Sequence, residues 1–177
     1  MSLESGITYQ ASLPLSWRDT PVPDDATLAL ARHANLTLLH ALAVLESVTE
    51  KDHDVDPVMS KAVIRLEAKL DIALSLITRL ISGQLALPAS FALTMGVDRI
   101  EWRGAEQIPG PGTLILLSLY LSPRLPEPLQ LYARVGAAQN DGCVAEFLDH
   151  DEEHEEWITR TLFRYHRRAL QARHQPG

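Results

Sequence analysis

The 177-residue sequence predicts an α+β fold: a β-domain of short antiparallel strands, a long helical insertion after its first strand, and a C-terminal helix. Three observations predict this fold. Apolar residues alternate with period two near the N-terminus and again after Pro88, which is typical of half-buried strands. Between these regions apolar residues recur every three or four positions, as in heptad helices. The final segment is acidic at its start and basic at its end, which suits a helix dipole.

The first predicted strand extends from Ile7 to Trp17 and alternates over its whole length. Pro14 has no backbone N–H to donate to a neighbouring strand, so we expect an edge position or a bulge there. Residues 1–19 are therefore predicted to supply the first strand of the β-domain. The side of this strand that should face the core comprises Ile7, Tyr9, Ala11, Leu13, Leu15 and Trp17.

Residues 20–86 are predicted to form an insertion of two helices, each with a heptad seam. The second helix should begin at Asp56-Pro57, where an N-cap acid precedes proline, and should end near Gly83. The seam residues, which are candidates for an oligomerisation contact, are Leu28, Ala31, Asn35, Leu38, Leu42 and Leu45 in the first helix and Met59, Val63, Leu66, Leu70, Ala73, Ile77 and Leu80 in the second.

The second helix has more apolar surface than one narrow contact requires, because Ile72, Leu74, Leu76 and Ile81 lie outside its seam. This surplus favours contact with several neighbours, and hence a homo-oligomer. The alternative is a helical hairpin that packs on the β-domain within one chain. Asn35, a polar residue at a seam position, should set the register between helices, or face solvent if the register differs.

Residues 87–177 return to strands and end in a helix from about Asp151 to Gln171. Short antiparallel strands separated by turns predict a barrel or a sandwich. The predicted turns are Pro109-Gly110-Pro111-Gly112, a later proline-rich segment and Asn140-Asp141-Gly142. The predicted strands lie near Phe91–Met95, Ile100–Trp102, Thr113–Leu121, Leu129–Val135 and Cys143–Phe147.

Composition disfavours several classes of protein. The formal net charge of −7 argues against binding nucleic acid, which requires many cationic groups, and against anchoring on anionic lipid. No apolar run approaches the roughly 20 residues of a membrane span, so no membrane insertion is expected. A single cysteine, Cys143, and a start without a signal-like pattern indicate the cytoplasm.

The sequence predicts no catalytic residue, ligand-binding residue, metal site or cofactor. His150 and His154 are one helical turn apart beside carboxylates, and His53 lies between two aspartates. Neither group has the His-Glu-x-x-His pattern or a thiolate cluster, so solvated polar segments explain them better than a metal does. Cys143 lies on the inward side of its strand and is expected to be an inert buried thiol.

From Phe91 onward the order of features resembles a PilZ domain. Ile100-Glu101-Trp102 is similar to that family's strand after its serine-and-glycine motif. The segment 111–116 is similar to its glycine turn and long apolar strand, and the segments 128–135 and 143–147 are similar to its later strands. The resemblance covers about residues 90–170. It implies an antiparallel six-stranded β-barrel with a C-terminal helix, whose first strand is supplied by residues 7–17.

The PilZ family usually binds cyclic di-GMP through an Arg-x-x-x-Arg stretch before the first strand and an [Asp/Asn]-x-Ser-x-x-Gly motif. Residues 1–17 contain no arginine. Thr94, Gly96 and Arg99 stand where the acid or amide, the serine and the glycine of the motif should be. Arginine side chains grip phosphates and stack on guanine faces, so their absence predicts no cyclic di-GMP binding.

The helical insertion resembles that of an atypical PilZ subtype, from bacteria related to Xanthomonas, that assembles as a tetramer. The resemblance implies a non-catalytic oligomeric adaptor with an unidentified protein partner, acting in bacterial signalling, type IV pilus or motility function, or virulence regulation. The alternative is a nucleotide sensor that binds cyclic di-GMP through a non-standard surface.

Overall fold

The computed structural model describes residues 8–47, 70, 87–105, 107–122, 125, 127–136 and 142–173. Within these ranges, six antiparallel strands form a closed barrel in the order β1-β2-β3-β6-β5-β4. This confirms the predicted barrel and C-terminal helix. The strands are β1 (Tyr9–Asp19), β2 (Ser90–Met95), β3 (Arg99–Arg103), β4 (Leu114–Leu119), β5 (Leu129–Val135) and β6 (Gly142–Phe147), and the helices are α1 (Asp25–Ser47) and α2 (Glu152–Arg173).

β1 closes the barrel by pairing with two strands in succession. Its first half, through Pro14, pairs with β2, and its second half, from Leu15, pairs with β4. At this switch the Pro14 carbonyl accepts a hydrogen bond from the Tyr120 N–H at 3.0 Å, and the Leu15 N–H donates to the Ala89 carbonyl at 3.1 Å. β1 is therefore not the edge strand of an open sheet, and Pro14, which has no N–H to donate, lies where the pairing of β1 changes from β2 to β4.

The inward side chains of all six strands form one core, as their alternation predicts. Trp102 is 1 % exposed, and its ring centroid lies 5.3 Å from that of Trp17, which packs in turn on Phe91. Each large buried side chain contributes on the order of 1.5–3 kcal/mol relative to its exposed state. Cys143 belongs to this core, and burial raises the pKa of its thiol to about 11. A thiol with that pKa is not a nucleophile near neutral pH.

α1 and α2 cover the part of the barrel where β5 and β6 separate. These two strands pair only at the end of β5, from Ala133 to Val135, so the beginning of β5 has no partner in β6. Leu39 and Leu42 of α1 and Ile158 and Leu162 of α2 join the barrel core there. The helices thus complete the apolar core, and α2 follows the last strand as predicted.

The predicted seam of the first helix packs within the chain. Asn35, Leu38 and Leu42 are only 2–4 % exposed, and Leu28 and Ala31 are partly buried. Asn35, Leu38 and Leu42 are so deeply buried against their own barrel and α2 that they leave almost no surface for a second chain. Asn35 does not face solvent, and its polar contacts are with α2 and β5 of its own chain. The side chain of Leu45 is outside the described residues.

Most of the second predicted helix also lies outside the described residues. Leu70 is the exception: it is helical and 54 % exposed. The other candidate seam residues of this helix, for which the structure provides no test, are Met59, Val63, Leu66, Ala73, Ile77 and Leu80.

Deleting residues 1–19 is expected to abolish cooperative unfolding of the barrel, because β1 carries the ladders to both β2 and β4. Thermal unfolding followed by circular dichroism tests this, with deletion of residues 1–6 as the control that keeps β1 intact. A 1–19 deletion variant that melts like the full chain would show that the barrel does not require β1.

Candidate functional site

A partly buried polar cluster joins α1, β5 and the start of α2. We call it the interhelix cluster; it consists of the side chains of Arg32, Asn35, Asp149, Asp151 and His154 with the backbone of Gln130. Asn35 and His154 are each 2 % exposed, and they account for most of the buried polar side chains among the described residues. Because buried polar groups are costly unless they are paired, each contact in this cluster has a structural consequence.

Asn35 takes the place of a neighbouring strand beside β5. Its Nδ2 donates to the Gln130 carbonyl at 2.8 Å, and its Oδ1 accepts from the Gln130 N–H at 2.9 Å. These two backbone groups lie in the part of β5 that β6 does not reach. A carboxamide has one donor face and one acceptor face like a peptide group, so one side chain satisfies both.

His154 lies between Asn35 and Asp149. Its Nε2 is 3.3 Å from Nδ2 of Asn35, and its Nδ1 is 3.2 Å from Oδ2 of Asp149. Burial lowers the pKa of the imidazole below its usual value, and this effect outweighs the opposing attraction of Asp149. Because its pKa is lowered, the ring stays neutral at neutral pH, and each of its two nitrogens has a hydrogen-bond partner.

Arg32 connects α1 to the two aspartates that precede α2. Its Nη2 and Nε bind the two carboxylate oxygens of Asp149 at 2.7 and 3.0 Å, and its Nη1 binds Asp151 at 3.0 Å. Burial alone would raise the pKa of Asp149, but the Arg32 guanidinium outweighs it and lowers that pKa. Asp151 also caps α2, because its Oδ1 accepts the His154 N–H at 3.1 Å.

The structure separates the two histidines that have metal-compatible spacing in the sequence. His150 is exposed and its Nδ1 lies 3.3 Å from Glu155, whereas His154 points into the interhelix cluster. The described part of the chain contains no group of three His, Cys, Asp or Glu side chains placed to hold a metal ion. The cavity beside the cluster has a volume of about 10 Å³, which accommodates at most one water molecule.

Sequence reasoning missed the interhelix cluster as a unit. Asn35 stood out as a polar residue on an apolar seam, and Asp149, Asp151 and His154 are close in sequence. Their partner Arg32 is 117 residues from Asp149, and no local pattern connects the two.

The residues that the resemblance aligns with the PilZ motif lie on β2 and β3 and in the turn between them, across the barrel from β5. Thr94 faces outward on β2 and pairs across the ladder with Glu101 of β3, in a shallow groove that Gln10 and Arg103 also line. Gly96 lies in the β2–β3 turn, where its N–H donates to the Arg99 carbonyl at 2.8 Å. The groove thus has a polar surface.

Both arginines of this surface bind acids of their own hairpin. Arg99 Nη2 is 2.9 Å from Asp98, and Arg103 Nη2 is 2.6 Å from Glu101. A phosphate ligand would therefore meet two carboxylates beside the two guanidinium groups.

No helix in the described ranges is long and apolar enough to cross a bilayer.

Replacing Asn35 by alanine is expected to destabilise the protein by roughly 1–3 kcal/mol, because two partly buried hydrogen bonds to the Gln130 backbone are lost. Chemical denaturation measures the change in the free energy of unfolding. Thr37→Ala is the matched control: Thr37 is exposed on the same helix, and its hydroxyl donates to the His33 carbonyl one turn away, at 2.9 Å. A loss for Asn35→Ala no larger than that for the control would mean that α1 docks through its leucines alone.

Comparison with known proteins places these features in a family. Residues 39–174 match the family described as "Atypical PilZ domain, cyclic di-GMP receptor". The chain is also similar to the crystal structure of a pathogenic protein from Xanthomonas campestris, described as a new tetrameric PilZ domain self-assembled via an unusual helical bundle. The TM-score is 0.76 with 27 % identity, over 96 % of this chain and 93 % of that chain. A search of curated proteins finds no match. Because the family match spans most of the sequence, this chain belongs to the atypical PilZ domain family, a family of receptor domains and not of enzymes.

Proposed function

We propose that this protein is an oligomeric PilZ-like adaptor that acts through protein contacts and does not bind cyclic di-GMP. The pathways proposed for it are bacterial signalling, type IV pilus or motility function, and virulence regulation, in the cytoplasm. The observation that carries the proposal is the absence of arginine from residues 1–17. In addition, Arg99 and Arg103 of β3 are each paired with an acid of the same hairpin.

The ion pairs alone do not decide against a phosphate ligand, because an exposed ion pair contributes only about 0–1 kcal/mol. The number and placement of arginines weigh more. Residues 1–17 contain no arginine, and Arg18 lies near the far end of β1, opposite Leu116 of β4. Thr94 also replaces the acid or amide of the motif. A ligand with two phosphodiester groups would therefore lack the bidentate contacts that normally hold it, and it would face Asp98 and Glu101 instead.

We also propose that the insertion, residues 20–86, assembles the protein into a homo-tetramer. The similar Xanthomonas campestris protein is described as a tetramer built by a helical bundle, and the similarity covers 96 % of this chain. Since Asn35, Leu38 and Leu42 are buried within the chain, the contact is assigned to the seam of the second predicted helix. Its residues are Met59, Val63, Leu66, Leu70, Ala73, Ile77 and Leu80, of which Leu70 is 54 % exposed.

The alternative function is a cyclic di-GMP sensor that uses a non-standard surface. The description of the family as a receptor for this nucleotide favours it. The groove of Gln10, Thr94, Glu101 and Arg103 is the surface to test, because it lies on the strands that carry the motif positions.

Titration calorimetry with cyclic di-GMP is expected to show no saturable binding in the micromolar range. Saturable binding that Arg103→Ala weakens would contradict the proposal and establish the sensor function instead. Arg134→Ala is the matched control, since Arg134 is an exposed arginine on β5.

Leu70→Asp is expected to dissociate the oligomer while the barrel stays folded. Each subunit would place a charge in the proposed apolar contact, with a desolvation cost of several kcal/mol or more for an unpaired charge. Light scattering coupled to size exclusion measures the mass, and circular dichroism checks the fold. Ala29→Asp, at an exposed position of α1, is the control and should keep the wild-type mass. A monomeric wild type would refute the assembly proposal, and an unchanged mass for Leu70→Asp would place the contact elsewhere.

A further inference from the structure

The orientation of the Asn35 carboxamide is determined by chemistry. A backbone N–H can only donate and a backbone carbonyl can only accept, so Oδ1 must face the Gln130 N–H at 2.9 Å and Nδ2 must face the Gln130 carbonyl at 2.8 Å. The second hydrogen of Nδ2 is then available to Nε2 of His154, 3.3 Å away. A rotated amide would place two donors together and two acceptors together against β5.

This orientation determines the tautomer of His154. Because Asn35 presents a donor, Nε2 of His154 must offer a lone pair, and the ring proton must be on Nδ1. Nδ1–H then donates to Oδ2 of Asp149 at 3.2 Å, and Arg32 binds the same carboxylate from the other side. The chain of donors and acceptors from Gln130 to Arg32 is consistent only while Nε2 carries no proton.

We infer that His154 is a proton-sensitive latch for the docking of α1 on the barrel: a proton added at Nε2 places an N–H donor against the Nδ2 donor of Asn35 and breaks this contact. The bond that is lost joins α2 to α1, and the repulsion falls on the side chain that holds α1 to β5. When the hydrogen bonds of Asn35 to β5 weaken, the Gln130 N–H and carbonyl lose their partner, in the part of β5 that β6 does not pair with.

Charged groups face His154 from the elements packed against it. Arg32 of α1 disfavours the imidazolium, whereas Asp149 and Asp151, which precede α2, favour it; β5 contributes the Gln130 backbone and the uncharged Tyr132. Burial is the largest influence, with 3 % of the His154 side chain exposed, and it lowers the pKa of His154 below the ordinary value. The undocked or unfolded state therefore binds a proton more readily than the docked state.

The sign of the pH effect follows from this difference. Docking of α1 is strongest above the ordinary histidine pKa of about 6.5 and weakens as the pH falls from there to the lowered pKa of His154. Asp149 adds a second loss at lower pH, below its ordinary pKa of 3.8, because its pKa in the folded protein is also lowered. A measurement at about pH 5.5, well above the ordinary pKa of Asp149, therefore reports the histidine.

Two measurements on the full chain test the latch. Nitrogen-15 NMR of the imidazole should show the proton of neutral His154 on Nδ1 at about pH 7.5, one unit above the ordinary pKa of about 6.5. The rate of amide hydrogen exchange around Asn35 is corrected for the intrinsic effect of pH and compared with the rate in β2. Between about pH 7.5 and about pH 5.5 it should rise about five- to tenfold, which is the effect expected from losing one buried hydrogen bond.

His154→Gln provides the decisive variant, because its amide oxygen can accept from Asn35 and does not titrate. Its exchange around Asn35 should change less than about twofold over the same pH range. His166→Gln, which removes an exposed histidine of α2, should behave like the wild type. A proton on Nε2 of the neutral wild-type ring, exchange in wild type that does not depend on pH, or an equal rise in His154→Gln would each overturn the inference. The tautomer of the wild type decides the matter even if the variant fails to fold.

Discussion

The docking of the helices depends on the pairing of Asn35 with the backbone of Gln130. β6 diverges from β5 after three paired residues, and without Asn35 the N–H and the carbonyl of Gln130 would lack a partner at a partly buried contact. Each such group costs about 1–3 kcal/mol. Asn35 satisfies both, which allows Leu38, Leu39 and Leu42 to be buried around the same contact. The polar pairing fixes where α1 docks, and the leucines supply most of the stabilisation.

The other side chains of the interhelix cluster hold the Asn35 carboxamide in the orientation that this pairing requires. Arg32 is 30 % exposed, so its ion pairs contribute little stability by themselves. Their effect is geometric: the bidentate contact holds Asp149, Asp149 holds the Nδ1 side of His154, and His154 then presents Nε2 to Asn35. The neutral amide of Asn35 is thus the buried end of the cluster and the charged guanidinium of Arg32 is its partly exposed end, so that no isolated charge lies in the core.

The two polar surfaces of this PilZ-type barrel lie on different strands and differ in character. The groove on β2 and β3 is lined by Thr94, Glu101 and Arg103, while the helices α1 and α2 cover β5. The barrel core does not depend on which residues line the groove, because Trp102, Ile100 and Leu93 point inward from the same strands. A fold of this kind can therefore retain its core while its surface chemistry changes.

The sequence by itself determined the strands, the last helix and the absence of arginine before β1. Alternation is a local property, so the strand predicted for Ile7–Trp17 appears as Tyr9–Asp19 and the helix predicted from Asp151 appears as Glu152–Arg173. The tertiary structure alone decided what covers the seam of α1. Heptad spacing shows that one face of a helix is buried, but burial by the chain's own barrel and burial by another chain produce the same spacing. The partnership of Arg32 with Asp149 was equally hidden, because a contact between residues 117 positions apart exists only after β5, β6 and both helices have come together.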